Sequence, residues 1–341
     1  MRLWWRKHIS GNRRLVPQPS LAAAWGGLLV LAATSGCALT HRLMVVKTAV
    51  VDLRAQPHTS AQPGAHDPLE ETQLLYGEPV RLVKTQDGWA YVEAVEQTEF
   101  THAQRWQGYP GWLPAESLVR QHEWMAPNIV VTEKWAPTSE DAFGARPSPW
   151  RFPLGTRLRA TKVGGEFWKV ALLDASTVWM PARAGRPLEE LKRLPPSEKR
   201  RMILRNAEHF IGDTYYWGGR SPQAAGRAAT VTGVDCSGLV NLAYRAAGVD
   251  LPRDAHEQFL RARPVRTLQP ADLIFLSERG NPKHIVHVML YTGDDEIVEG
   301  PGTGLAVRRI TAVERFGRPL SALAPGDVVD GQNVFFGTYL P

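Results

Sequence analysis

The sequence predicts an α+β chain in which small all-β units precede a domain built from helices and then an antiparallel sheet. Three observations predict it. From Val45 to about residue 183 the apolar segments are short and are punctuated by Pro, Gly and Asp-Gly turns, as in small β-rich domains. Between residues 197 and 248 the apolar positions switch to helical spacing. From Asp272 to Tyr339 the segments read as strands again. Helices followed by strands in one unit is an α+β layout.

The N-terminus comes first. Residues 1–20 carry Arg2, Arg6, Lys7, Arg13 and Arg14 and no acid, and Leu21 to Ala33 is apolar and small. That run is shorter than the roughly 20 residues a spanning helix needs. A basic start, a short apolar stretch and small residues before a break make residues 1–36 a signal peptide. Cys37, after Ala33-Thr34-Ser35-Gly36, resembles the acylated cysteine of a bacterial lipoprotein, although Thr34 stands where Leu is usual. The alternative is a plain secretory signal ending near a cysteine. The lipoprotein reading implies an exported protein tethered at residues 37–44 and held to a cell-envelope membrane, on its periplasmic face, by acyl chains on Cys37. It also changes the charge argument. The chain is formally +6, of which residues 1–36 supply +5, leaving about +1 (6 − 5). No basic patch remains to argue for nucleic acid.

About 305 residues follow residue 36, enough for two or three domains. Residues 45–125 hold the strand candidates Val50–Arg54, Pro79–Val83, Gly88–Val95 and Gly111–Pro114. Asp87-Gly88 before Trp89 is a hairpin signal, because Gly tolerates positive φ. The order Leu53-Arg54, Leu75-Tyr76-Gly77-Glu78-Pro79-Val80, Asp87-Gly88-Trp89-Ala90-Tyr91-Val92, Gly111-Trp112-Leu113-Pro114 resembles a bacterial SH3-like barrel. Residues 126–186 look like a second, divergent copy. Pro153–Leu158, Gly165–Val170 and Val178–Pro181 parallel Tyr76–Leu82, Asp87–Val92 and Gly111–Pro114, a repeat of roughly 75 residues. A β-rich extension of one domain is the alternative. Residues 187–196 read as a charged, proline-bearing linker.

Residues 197–341 carry the chemistry. Ile203, Ala207, Phe210 and Ile211 mark an amphipathic helix over 198–210 with Ser197 as its N-cap. Cys236, Leu239, Val240 and Ala243 repeat that spacing, so a second helix starts at or just before Cys236. A thiol there sits among unpaired N–H groups at the positive end of the helix dipole, and both favour thiolate. The Cys236 N–H is also placed to stabilise an oxyanion, and Gly233 and Gly238 leave room for close substrate approach. Alternation in Ile285–Tyr291 places His287 on the face of Ile285 and Met289. By itself this reads as a buried structural histidine; with a helix-start Cys 51 residues earlier it reads as the thiolate's base. His284, three residues before it on the strand, is expected on the opposite face, which argues against a metal-binding pair. Glu299, 12 residues after His287 at the end of the next strand, is the candidate orienter of its ring, with a solvated strand-end acid as the alternative.

Tyr215-Tyr216-Trp217-Gly218-Gly219, Gly233 to Val240 around Cys236, Pro270-Ala271-Asp272-Leu273, His287 to Tyr291 and the polar residue at 299 together resemble the NlpC-type cell-wall cysteine peptidases, over about residues 197–341. The resemblance implies a papain-like catalytic fold preceded by the two SH3-like barrels. Cys236 is then the nucleophile, His287 the base and then acid, residue 299 the orienter and Tyr215 a hydroxyl near the oxyanion. That family more often has His, Asn or Gln at the third position, so Glu299 departs from it. A second departure is the long segment Arg220 to Thr232, read as a surface insertion or a lid.

The family cuts peptide stems of peptidoglycan, mostly at bonds carried by the γ-carboxylate of D-glutamate. Some members cut stems still attached to glycan; others cut free stems and require an unblocked L-Ala amine. Asp254, in Leu251-Pro252-Arg253-Asp254-Ala255, is suited to pair with such an ammonium, and its alternative is an N-cap for the following helix. Glu70 to Glu78 and Gly108 to Trp112 resemble the SH3-like domain that walls the cleft in γ-D-glutamyl dipeptidyl-peptidases. That likeness puts Tyr109 and Glu71 at the amino end of the substrate, with Asp235 and Ser237 beside the nucleophile. The expected activity is release of L-Ala-γ-D-Glu from free murein peptides. The alternatives are a peptidoglycan D,L-endopeptidase and, in another class, a non-catalytic wall-binding lipoprotein. No cofactor or metal is implied: no thiolate zinc spacing and no phosphate loop occur.

Overall fold

The computed structural model describes residues 42–59, 66–120, 126–225 and 231–341. The expected signal peptide and Cys37 lie outside them.

The first sheet is antiparallel and seven-stranded: β1 Arg42–Val46, β2 Val50–Arg54, β3 Glu70–Leu75, β4 Pro79–Gln86, β5 Trp89–Glu99, β6 Gln107–Pro114 and β7 Leu118–Arg120, in the order β3-β2-β6-β5-β4-β1-β7. The β4–β5 hairpin turns at Asp87 (φ 48°) and Gly88 (φ 82°), the doubly positive φ that an Asp-Gly pair tolerates. The second sheet comprises β8 Ile129–Val131, β9 Trp135–Ser139, β10 Pro147–Pro153, β11 Arg157–Val163, β12 Phe167–Ala171, β13 Thr177–Pro181 and β14 Gly185–Pro187. Its order, β10-β9-β13-β12-β11-β8-β14, repeats the first sheet strand for strand. The repeated motifs of the sequence therefore fall on equivalent strands. Neither sheet is a closed barrel, since β3 and β7, like β10 and β14, are unpaired ends of their ladders. Each sheet folds over its own core, around Leu53, Leu74, Val92 and Leu113 in the first and Phe152, Leu158, Trp168 and Met180 in the second.

The stretch expected as a linker holds a short helix, α1 Leu188–Arg193, whose Leu191 is fully buried against Gly248. Next comes α2 Pro196–Glu208, whose N-cap is Pro195. Ser197 lies inside the helix rather than capping it, because Pro196 at the first helical position already has the helical φ and lacks an N–H that a helix start would leave unpaired. A two-stranded ribbon, β15 Arg220–Ser221 with β16 Gly233–Val234, leads into α3 Cys236–Arg245. After α4 Ala255–Arg261 come β17 Arg263–Pro264, β18 Leu273–Glu278, β19 Asn281–Gly293, β20 Glu296–Glu299 and β21 Arg308–Thr311, then α5 Ala312–Phe316, β22 Val328–Val329 and β23 Gln332–Thr338. The sheet runs β17-β23-β18-β19-β20-β21.

The helix α3 is buried along its whole length. Leu239, Val240 and Ala243 share one core with α2, with Val288 and Leu290 of β19, and with Leu75 and Leu154 of the two N-terminal sheets. The helix α3 is thus clamped from three directions. Polar docking adds to this. Arg220 and Ser221 are fully buried: Arg220 pairs with Glu78 at 2.8 Å, and both residues bond Gln73 of β3. The segment from Arg220 therefore begins as a docked strand and not as a surface insertion; residues 226–230 lie outside the described residues.

Candidate active site

Cys236 is the first residue of α3, so its N–H has no partner inside the helix. Asp235 caps that helix: its Oδ1 accepts from the Gly238 N–H at 2.6 Å. The glycines around Cys236 serve the backbone and not the substrate. A Cβ on Gly233 would lie 2.8 Å from the Thr214 carbonyl oxygen, and one on Gly238 would collide with the Gly219 carbonyl.

His287 stands on β19 with its ring within hydrogen-bonding reach of the Cys236 sulfur. Its Nε2 meets Glu299 Oε2 at 3.0 Å, so the three residues form one chain. Burial would lower the His287 pKa, but the hydrogen bonds and negative charge of Cys236 and Glu299 outweigh it and raise the pKa to about 9. The ring is therefore an imidazolium at neutral pH. Glu299 is fully buried, which by itself would raise its pKa; His287, Arg308 and Arg315 reverse this and lower it to about 2. Arg308 donates to Oε1 at 3.1 and 2.7 Å, and Arg315 Nε to Oε2 at 3.3 Å. The acid is thus a permanent anion, not a solvated strand end.

The strand does not alternate as expected. Leu276 pairs with His287 but Ser277 pairs with Ile285, so Val286 is a bulge. Ile285 consequently joins the core of Val288 and Leu290, while Met289 packs on the other face. His284 and His287, expected on opposite faces, line the same cavity.

That cavity, of about 500 Å³, holds Cys236 and His287 together with Tyr215, Asp235, Ser237, Tyr109, Glu71 and Asp254. Every candidate site residue among the described residues except the fully buried Glu299 lines it. Tyr215 is driven further above the usual phenol pKa by burial and by the neighbouring sulfur, so it stays a donor. At the far end the Tyr109 hydroxyl reaches Glu71 Oε2 at 3.1 Å and Asp254 Oδ2 at 3.0 Å, joining the first sheet to the helical lobe. Asp254 occupies the N-cap position of α4, but its side chain makes no capping bond and turns into the cavity. Withdrawal from water, with Glu257 and Asp235 adding to it, raises its pKa to about 7 against the opposing pull of Arg253 and Tyr109.

Asp235 and Ser237 are less free than the sequence suggested. Arg253, fully buried, donates to Asp235 Oδ2 at 2.8 Å and Oδ1 at 3.1 Å, to Ser237 Oγ at 2.9 Å and to Thr72 of β3 at 2.6 Å. Sequence reasoning missed Arg253, Arg308 and Arg315. Arg253 stands in the quoted Leu-Pro-Arg-Asp-Ala run, but nothing local distinguishes an inward arginine from a solvated one. It also missed Glu257, which accepts from the Thr101 N–H and hydroxyl and so pins the β5–β6 loop beside Tyr109.

Residues 212–316 match the model of the NlpC/P60 family. A Bacillus subtilis (strain 168) protein named gamma-D-glutamyl-L-lysine dipeptidyl-peptidase is 27% identical over 253 residues, 73% of this chain and 78% of that one. The Escherichia coli (strain K12) murein DD-endopeptidase MepH is 37% identical over 103 residues, 29% of this chain and 35% of that one. The fold is that of an NlpC/P60 family protein from Bacillus cereus ATCC 10987, whose crystal structure aligns with a TM-score of 0.68 at 22% identity, over 88% of this chain and 100% of that one.

Proposed function

From the premise that the chain carries an NlpC/P60 peptidase domain, we propose that it hydrolyses the γ-D-glutamyl bond of free murein peptides and releases L-Ala-γ-D-Glu. Cys236 Sγ attacks the γ-carbonyl carbon, and the carbonyl π electrons move to oxygen, which the Cys236 N–H and Tyr215 hydroxyl stabilise. The imidazolium of His287 protonates the leaving nitrogen, giving the thioester and a free amine. His287 then takes a proton from water, whose oxygen displaces the thiolate and frees the dipeptide. Glu299 holds the ring throughout. Asp235 and Ser237 flank the acyl group from the start of α3. The two N-terminal sheets are read as SH3-like modules, and Cys37 as a lipid anchor on an exported chain.

One observation supports free stems over glycan-attached ones: the Tyr109 hydroxyl between Glu71 and Asp254. This group closes the cavity with two carboxylates and a phenol, which suits an ammonium. A stem still on glycan has an amide there and a chain that must continue through the wall. Acetylating the L-Ala amine of a free tripeptide should lower kcat/KM by about a thousandfold or more, since it removes the positive charge that Glu71 and Asp254 would meet and puts an acyl group where the cavity closes. Equal cleavage of both peptides would mean an endopeptidase.

The pH profile follows from the same acid. Asp254 ionises as pH rises through about 7, and only its carboxylate attracts the ammonium. Above about 8 the substrate amine itself loses its proton. A plot of kcat/KM against pH should therefore rise from pH 5.5 to a maximum between roughly 7 and 8, then fall. A plateau extending down to pH 5 would remove Asp254 from amine binding.

A further inference from the structure

The cavity is polarised. Each carboxylate in its lining is gathered toward the first sheet or Arg253: Glu70 on Arg54, Glu71 and Asp254 on Tyr109, Asp235 on Arg253, Glu257 on Thr101. Beyond His287 the sign reverses. Arg315 lines the cavity there, and its Nε is held by Glu299 while its guanidinium carbon lies 5.4 Å from the centre of the Phe316 ring; its two terminal nitrogens have no hydrogen-bond partner among the described residues. Glu299 and the Cys236 sulfur set two negative charges against two guanidinium groups and the imidazolium, so that end keeps one cation in excess. Gln332 lines the same end; its amide NH2 donates to the Ser277 carbonyl at 2.7 Å, which leaves its own carbonyl oxygen to accept.

The leaving residue occupies this end. His287 must protonate the departing nitrogen, so the residue that owns it lies beside the imidazole, and Arg315 grips the carboxylate that orients that imidazole. We propose that Arg315 is a specificity residue that binds a carboxylate on the side chain of the third stem residue, with the Gln332 carbonyl accepting from the ammonium on the same carbon. The third residue is then a diamino acid bearing a second carboxylate, of the diaminopimelate type, and not lysine, whose bare side-chain ammonium meets a guanidinium there. A fork of N–H donors fits a carboxylate, whereas it repels an ammonium. The inference rests on the γ-D-glutamyl reading above and adds the identity of the residue beyond the cut bond.

The test uses the whole protein and free peptides L-Ala-γ-D-Glu-X-D-Ala, in which the α-carboxyl of X is already an amide. X is meso-diaminopimelate, the same residue with its side-chain carboxylate amidated, or L-lysine. The wild type should favour the free carboxylate over both others by on the order of tenfold or more in kcat/KM, mostly through KM. Arg315→Gln lowers turnover generally, since it loosens Glu299, but it should bring the three substrates to within about twofold of one another. Arg315→Lys keeps a cation beside Glu299 and should retain part of the preference; melting temperatures confirm that both variants fold. Equal rates on the three peptides in the wild type, or an undiminished preference in Arg315→Gln, overturn the assignment of Arg315 while leaving the γ-D-glutamyl activity standing. A gain only when the α-carboxyl of X is freed, whatever its side chain, overturns it in favour of the α-carboxylate. Cleavage of none of these peptides, with cleavage of glycan-attached stems, removes the free-peptide reading and this inference together.

Discussion

Cys236→Ala should lower hydrolysis of a free murein tripeptide to the limit of detection, a loss on the order of 10⁵-fold, because the change removes the thiolate, and the neighbouring Ser237 hydroxyl is held by Asp235 and Arg253. The fold should survive. The change removes one sulfur from a site at the cavity wall, and the Asp235 cap and the core contacts of α3 stay in place. The expected cost in stability is about 1 kcal/mol or less. A second readout isolates the pair itself. The sulfur is one of the two partners that hold the His287 pKa near 9, so in the variant the ring should titrate at lower pH, with Glu299 still bound to Nε2. Liquid chromatography of the products and an NMR titration of the ring check both statements. Turnover surviving at a substantial fraction of wild type ends the thiolate mechanism.

Arg253→Met should be the most damaging substitution for stability. The guanidinium is fully buried and simultaneously serves Asp235, Ser237, Thr72 and the Gly219 carbonyl. It therefore ties the nucleophile's cap to the first sheet. Removing one partner of a buried ion pair leaves the other charge uncompensated, at about 3–5 kcal/mol. The melting temperature should fall by about 5–8 °C. Activity should fall as well, for a separate reason. Arg253 is the nearest cation pulling the Asp254 pKa down, so its loss moves that acid further above about 7 and leaves less carboxylate at neutral pH to hold the substrate amine. Thermal denaturation and the ratio of variant to wild-type kcat/KM at pH 7 and 8.5 separate the two effects: deprotonation of the substrate amine is common to both proteins, while raising the pH restores the ionised acid in the variant but not its fold. An unchanged melting temperature would show that this ion pair is not a brace.

Much of this site is visible in local spacing. A cysteine at i with apolar residues at i+3, i+4 and i+7 announces a helix start, and α3 begins at that residue. The repeated strand motifs announce a duplication, and the two sheets have the same strand order. Tyr109 and Glu71 come from the resemblance and Asp254 from its charge and its place after α3, and the three meet through one hydroxyl. Errors arose where a short-range rule met a long-range constraint. The period-two rule put Ile285 and Met289 on one face, but a bulge opposite Ser277 shifted the parity. The sequence reads Gly233 and Gly238 as room for the substrate, yet it is the neighbouring backbone that excludes a Cβ from both. Ser197 looked like a cap because the rule does not weigh two prolines immediately before it.

Chain-local chemistry, then, announces Cys236 and His287 as a candidate pair and the elements that carry them, because helix starts, strands and turns depend on residues a few positions apart. Docking decided the rest. Whether Asp254 caps a helix or faces the cavity, whether Arg253 is solvated or buried, and where Arg315 points all depend on surfaces far apart in the chain. Tyr109 meets Asp254 across 145 positions, and Arg253 meets Thr72 across 181. Pattern within a segment carries no information about such pairings; only the packing of the first sheet against α3 and α4 creates them.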